Sequence, residues 1–424
     1  MKKKLKYYIG KIIINCTFYF FTISKRSKSG NFINNLYQLL LHVFHLSAFP
    51  IENNVSYKIK FDNTLFNVLT PARDGVTGNT INIDSTEQQN LIHLQLPEIK
   101  AIKYKEMLVA ANSDVVVDLK NKCIINDMCY NINNNVEFVD GLLYRQKYNF
   151  GVLRNNFSKR NITIKSGIMI NGKFSNNYYH AMYENLIRLL YVEDANIPQN
   201  VPILVDETVF RIPSLKKIFE ILTGNQKREV VVLQTGQTYF CEELYCIDHV
   251  NYIAPHIKDI KIPGNYYIYD HEALIKLRNK LLIYKSEIKT PKRIFLTRKN
   301  TQNRHLNEEE VFSTLKKYDF ETVSPEKYSF EEQIALFNNA EWIVGGTGAA
   351  FTNLLFTNNK CKILCFRSNS IGKEPPVFNT IAYINGCKMW YYSPDKTKSS
   401  QDLHSDYSIN IEHLEKTMQI LIYS

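Results

Sequence analysis

Glu341-Trp-Ile-Val-Gly-Gly-Thr-Gly-Ala-Ala-Phe351 decides the reading of this chain. Trp342, Ile343 and Val344 form a continuous apolar run, the pattern of a strand buried on both faces. Gly345, Gly346 and Gly348 then turn the backbone ahead of the helical stretch 349–356. A glycine turn at a helix start leaves unpaired N–H groups facing the loop, and such groups favour an anion. The loop is not a P-loop, because no Gly-Lys-Ser/Thr follows. It is not a dinucleotide fingerprint either. Phe351 stands where the third glycine belongs, and the loop follows the third strand of its half.

Outward from this point the chain alternates. Residues 293–297 (Arg-Ile-Phe-Leu-Thr) read as a strand, and Asn307 caps a helix with Glu308, Glu309 and Glu310 in its first turn. Residues 320–323 are the next strand, and Ser329-Phe-Glu-Glu332 is a capping box before an apolar helix. Residues 362–366 and 388–392 are further strands, and 411–422 is an amphipathic helix. Upstream, 161–170, 201–206 and 229–233 read as strands. Residues 177–192, 212–222 (stopped by Gly224) and 270–284 read as helices. Strand–helix–strand order implies parallel pairing through crossover helices. Residues 55–150 read as short strands and turns. The expectation is α/β: two Rossmann-like halves facing a cleft, with an N-terminal helical and β extension. Its segments are a basic apolar helical stretch (1–50), a first domain (51–269, Rossmann-like from about 161), a second (270–405) and a C-terminal helix (406–424).

The carboxyl ends of neighbouring parallel strands share a crevice where ligands bind. Arg298 lies just past the strand 293–297, and Arg304 six residues on. Both are expected to meet the Gly345–Gly348 loop across a bound diphosphate. In the first half, His180, Glu184 and Arg188 stand at i, i+4 and i+8, on one face of a helix. A histidine and a carboxylate together supply a general base.

These motifs form an ordered series: Arg293-Ile-Phe-Leu-Thr-Arg298, Arg304-x-x-Asn307-Glu308, Phe330-Glu-Glu-Gln333 with Ala340, and Gly345-x-x-Gly348-Ala-x-x-x-Asn353-x-x-Phe356. The series resembles the catalytic domain of glycosyltransferase family 61, including its bacterial capsular-polysaccharide branch. Asn177-Tyr-Tyr-His180 with Glu184 and Arg188 resembles that family's N-terminal helix motif. The resemblance covers residues from about 165 to 385. It implies a GT-B fold, a nucleotide-sugar donor (UDP-linked by family analogy), inversion at the anomeric carbon and no bound metal or other cofactor. The family loop usually reads Gly-Pro-His-Gly-Ala-Gly. Here Gly346, Thr347 and Ala350 replace the Pro, the His and the last Gly.

On this resemblance the diphosphate falls to Arg298, Arg304, the Gly346–Gly348 amides and Thr347, with Asn353 beside them and Glu332 toward the ribose. Glu184 is the expected base and His180 its substitute. The implied reaction moves a sugar to a glycan or lipid-linked glycan acceptor in surface polysaccharide synthesis. The rival from another class is a catalytically silent glycan-binding or scaffold protein on the same fold, which the altered glycine loop favours.

Composition agrees with a globular body: 424 residues, 45% hydrophobic and 22% charged. The net charge of +11 points to anionic partners, but no motif or basic-aromatic stripe marks a nucleic-acid binder. None of the eight cysteines forms a C-x-x-C pair, so reduced thiols and a cytoplasmic location are expected. Residues 7–24 and 32–49 are apolar, the first interrupted by polar residues and flanked by lysines. The first has fewer apolar residues than a spanning helix needs, and both are expected either to lie on an anionic inner-membrane surface or to pack on the body.

Overall fold

A computed structural model describes residues 46–52, 54–61, 65–126, 141–147, 150–154, 162–224, 227–253, 267–299, 304–367, 377–392 and 406–423. The chain divides into two units, one formed by Met1–Ala72 with Pro97–Ile262 and the other by Arg73–Leu96 with Pro263–Ser424. The division is discontinuous in sequence, where the motif reading has one junction near residue 270. Both units are mixed α/β.

In the first unit, Ile162–Met169 (β1), Ile203–Asp206 (β2) and Val230–Leu233 (β3) pair in parallel, Ile168 opposite Ile203 and Ile203 opposite Val230. The crossover from β2 to β3 is the helix Pro213–Thr223 (α1). Proline occupies its first turn, and Leu215, Ile218, Phe219 and Leu222 are its buried stripe. Thr238–Ile247 (β4) pairs with β1 in parallel and with the long strand Ile99–Ala110 antiparallel. Antiparallel strands extend the sheet beyond that, so the parallel portion is only part of it. Met169, Leu204 and Leu233 from β1–β3 share a core with Tyr104, Met107, Val109 and Tyr239.

Two expectations for this unit are corrected. Residues 46–50, placed in a helical N-terminal stretch, belong to the strand Leu46–Glu52, which pairs antiparallel with Phe150–Arg154. Residues 1–45 lie outside the described residues. The single helix expected over 177–192 is three short pieces: an α turn Tyr178–His180, a π segment Ala181–Asn185 and a 3₁₀ segment Leu186–Tyr191. Every residue of the π and 3₁₀ segments is buried, so packing on all sides, not one apolar stripe, sets their geometry.

In the second unit, Arg293–Leu296 (β5), Glu321–Val323 (β6), Trp342–Gly346 (β7), Lys362–Phe366 (β8) and Lys388–Tyr392 (β9) form an all-parallel sheet in the order β6-β5-β7-β8-β9. This is the 2-1-3-4-5 order of a doubly wound sheet, whose strand order reverses between β5 and β7. The helices His271–Leu282 (α2), Glu308–Lys316 (α3), Phe330–Asn339 (α4), Phe378–Ile384 (α5) and Ile411–Tyr423 (α6) complete the unit with the 3₁₀ segment Ala349–Phe356. Asp270 caps α2 and accepts from Ala273 N at 2.9 Å. Ser329 and Glu332 close a capping box on α4. Leu414 and Met418 of α6 share a core with Val311 and Leu315 of α3. The strand Arg73–Gly78 pairs with Leu91–Leu96 and with Tyr267–Asp270. Gly78 N also donates to Thr380 Oγ1 of α5 at 2.8 Å.

Among the described residues, six cysteines are free thiols, five of them buried. No described helix is long and apolar enough to cross a membrane.

Candidate functional site

The switch between β5 and β7 is built from two loops. After β5, the Arg298 N–H and the Thr297 hydroxyl both donate to the carboxylate of Glu308 at the start of α3. Glu308 thus pins the turn that projects Arg298, a role beyond the helix-dipole one its position suggests. The Arg298 Nη1 donates to Thr347 O at 2.9 Å, and Arg304 Nη1 donates to the same oxygen at 3.3 Å. Burial lowers the Arg298 pKa; the nearby Arg304 charge adds to this, and Tyr407 opposes it.

The glycines after β7 make room for this side chain. A Cβ on Gly348 would stand 2.2 Å from Arg298 Nη1, and one on Gly346 would stand 2.8 Å from Arg298 Cδ. The Thr347 N–H donates to Phe366 O at 2.9 Å, which engages that amide in the sheet. Arg298, Arg304, Gly346, Thr347 and Gly348 are therefore brought together.

Asn353 and Glu332 are directed elsewhere. Asn353 is buried and donates to Gln333 Oε1 at 3.0 Å, tying the 3₁₀ segment to α4. Glu332 accepts from Ser329 N at 2.8 Å in the capping box.

Further hydrogen bonds hold the arginine loop. Arg304 has a φ of 61°, a strained conformation for a bulky residue. The adjacent His305 N donates to Asp406 Oδ1 at 2.8 Å, and Tyr407 N donates to His305 O at 3.0 Å. Asn307 stands at the N-cap position of α3, but its side chain does not cap the helix. It bonds Ile409 in both directions, accepting from Ile409 N at 2.8 Å and donating to Ile409 O at 3.1 Å. Residues 406–410 are thus a brace along the loop, where the sequence reading has them as part of the C-terminal helix. The Tyr407 hydroxyl donates to Phe366 O at 3.4 Å and lies 2.8 Å from the place of a Gly346 Cβ. No motif pointed to Tyr407, because nothing local distinguishes it.

In the first unit, Asn177 caps the turn that carries His180, accepting from Tyr179 N at 3.0 Å. His180 Nδ1 and Glu184 Oε1 are hydrogen-bonded, and both side chains are buried. The ring of Phe174, a residue with φ of 60°, lies 5.0 Å from the His180 ring. Burial raises the Glu184 pKa; the His180 charge and hydrogen bond oppose this, Asp114 adds to it, and Arg188 opposes it. Arg188 does not continue a simple helical face. Its Nη2 turns to Asn171 O at 2.8 Å and to Asn185 Oδ1 at 2.9 Å. π segments often mark functional sites, and here one carries Glu184 directly after His180. Among the described residues no group of three His, Cys, Asp or Glu side chains is placed to hold a metal ion.

Residues 178–364 match the Glycosyltransferase 61 family model. The match opens two residues before His180 and closes within β8, so it takes in both the His180–Glu184 pair and the Arg298–Thr347 group. The chain is also similar to the EGF domain-specific O-linked N-acetylglucosamine transferase of Drosophila melanogaster, with 30% identity over 97 residues. That similarity covers 22% of this chain and 18% of the relative's length.

Proposed function

We propose that the protein is an inverting glycosyltransferase that moves a sugar from a nucleoside-diphosphate donor to a glycan or lipid-linked glycan acceptor. The observation that carries this reading is the convergence of Arg298 and Arg304 on the single carbonyl oxygen of Thr347, at the reversal point of a doubly wound sheet. Two like charges sharing one neutral oxygen repel each other, and a diphosphate would relieve that repulsion. The reading takes the chain as a GT-B-like pair of Rossmann-like domains.

In the reaction, the acceptor oxygen bonds to the anomeric carbon as the carbon–oxygen bond to the diphosphate breaks. The acceptor proton passes to the His180–Glu184 pair, whose hydrogen bond makes the two groups one acid–base unit. The charge that develops on the departing diphosphate is held by Arg298 and Arg304. The name of the fly relative makes UDP-N-acetylglucosamine the first donor to test. The lysine-flanked apolar stretches before residue 50 support attachment to an anionic membrane surface, where a surface-polysaccharide intermediate on a lipid carrier would be met.

Calorimetric titration of the full chain with UDP tests the donor site, and release of UDP from UDP-N-acetylglucosamine tests turnover. Saturable UDP binding is expected. A protein that binds no UDP at millimolar concentration is not this enzyme, and the silent scaffold reading then takes its place.

A further inference from the structure

Residues 406–410 form neither helix nor strand, yet they are fastened along their length to the loop that carries Arg304. Asp406 Oδ1 accepts from His305 N at 2.8 Å and meets His305 Nδ1 at 3.1 Å. Tyr407 N donates to His305 O at 3.0 Å, and Ile409 exchanges bonds with the Asn307 side chain at 2.8 and 3.1 Å. At the far end Asn410 O accepts from the Tyr392 hydroxyl at 3.1 Å, and Asn410 Oδ1 accepts from His413 N at 3.0 Å in the first turn of α6. Tyr407 is thus anchored on both sides, so its position is set by folding and not by ligand binding.

The fastening delivers a hydroxyl to the glycine turn. The Tyr407 side chain packs against the core shared by α3 and α6. Its hydroxyl and Arg298 Cδ each lie 2.8 Å from the point a Gly346 Cβ would occupy, so the two side chains flank one glycine. Gly346 ends β7 and stands opposite Phe366 of β8, at the carboxyl edge of the sheet. The bond from the hydroxyl to Phe366 O is 3.4 Å, long against the about 2.7–2.8 Å usual for O–H···O. That oxygen is already engaged by the Thr347 N–H at 2.9 Å. A phosphate oxygen is charged, and it would draw a shorter and stronger bond from the phenol.

We propose that the Tyr407 hydroxyl is a third ligand of the donor diphosphate, donating to a phosphate oxygen beside Arg298 and Arg304. The inference rests on the donor-site reading of those two arginines and adds to it a neutral donor from a distant segment. A third cation would add repulsion to a pair of guanidiniums that already share the Thr347 carbonyl. A phenol adds a directed hydrogen bond without that cost. By engaging both backbone polar groups of His305, the same segment also braces the chain beside Arg304, whose φ of 61° requires support.

Tyr407→Phe keeps the ring and its packing and removes only the hydroxyl. Full-length wild type and variant are titrated by calorimetry with UDP, inorganic pyrophosphate and uridine. Affinity for UDP and for pyrophosphate should fall about 10-fold in the variant, with uridine unchanged and the melting temperature held within a few degrees. In wild type carrying ¹³C at tyrosine Cζ, the resonance that is absent from Tyr407→Phe should shift on addition of pyrophosphate. Unchanged UDP and pyrophosphate affinity in the variant, or a Cζ resonance that pyrophosphate leaves in place, overturns the inference while the donor site stands. An equal loss for uridine makes Tyr407 a wall of the nucleoside pocket and likewise overturns it. Wild-type protein that binds neither UDP nor pyrophosphate overturns the donor site itself, and the inference with it.

Discussion

Arg298 occupies the space that a side chain on Gly348 would need: a Cβ on that glycine would come within 2.2 Å of the guanidinium Nη1. Gly348→Ala therefore displaces the charge without deleting it, whereas Arg298→Ala deletes it. Both variants should keep the wild-type melting temperature within a few degrees and lose UDP affinity. The alanine at 298 should cost about 10–100-fold, the equivalent of one charged hydrogen bond. Calorimetry on the three proteins checks this. Wild-type UDP affinity in Arg298→Ala would remove the arginine from the donor site.

The second prediction separates the two members of the His180–Glu184 pair. Glu184→Gln keeps size and hydrogen-bonding capacity but loses basicity, so kcat should fall by about 10²–10⁴ with UDP affinity unchanged. His180→Ala should fall comparably if the two groups act as one unit. Full kcat in Glu184→Gln beside a dead His180→Ala assigns the proton to the histidine alone.

Stability should carry the mark of a buried carboxyl. Burial raises Asp206 to about 6, against the opposing hydrogen bonds of Ser175 and the Asn112 and Gly172 amides. In the unfolded chain an aspartate titrates near 3.9. Between those values the folded state holds the extra proton, so this group's contribution to stability falls as pH rises from about 4 to about 6. His249, lowered to about 4 chiefly by burial, works in the opposite sense. Asp206→Asn removes only the carboxyl's part. Relative to wild type its unfolding free energy should rise by about 2 kcal/mol between pH 4 and pH 7. Urea melts at both pH values measure the difference, and a gap that does not change with pH contradicts it.

The N-terminal stretch yields a prediction from sequence alone. Lys2, Lys3, Lys4, Lys6, Lys11, Lys25, Arg26 and Lys28 flank or punctuate its first apolar segment. Each basic residue near an anionic surface contributes about 1 kcal/mol, and that attraction is screened by salt. Full-length protein should pellet with phosphatidylserine vesicles in low salt and be released, at least in part, in high salt. Pelleting that survives carbonate would mean a true anchor, and no pelleting at all would end the surface proposal.

The second unit was legible in sequence because its signals are local. Ile343–Val344 and Ile363–Phe366 are apolar runs that suit strands buried on both faces, and Ser329 with Glu332 announces a helix start within four residues. The pairing of Arg298 with the glycine loop also followed from strand order. What stayed hidden depends on tertiary contact. The spacing of His180, Glu184 and Arg188 implied one helical face, but the backbone passes through a π and a 3₁₀ segment, and Arg188 turns to Asn171 and Asn185. Asn307 resembled a cap and is instead a two-way tie to Ile409. Tyr407 and the real reason for Gly346 and Gly348 come from residues far away in the chain, where no window of sequence brings the partners together.

The strand Arg73–Gly78 belongs to the second unit, and its partner Tyr267–Asp270 is made much later, with Arg73 paired to Asp270 itself. During synthesis at ~5–20 residues per second, residues 73–96 emerge roughly ten to thirty seconds before that partner exists. They must wait on the ribosome as an open strand pair while the chain that follows them begins to assemble the first unit. A gene fragment starting near residue 263 would never supply them. It would leave the edge of Tyr267–Asp270 bare and Tyr383 without the Asn79 carbonyl to which its hydroxyl donates at 3.1 Å. Expression of the second unit by itself therefore calls for a circularly permuted or spliced chain, with 73–96 joined to 263–424, and not for simple truncation.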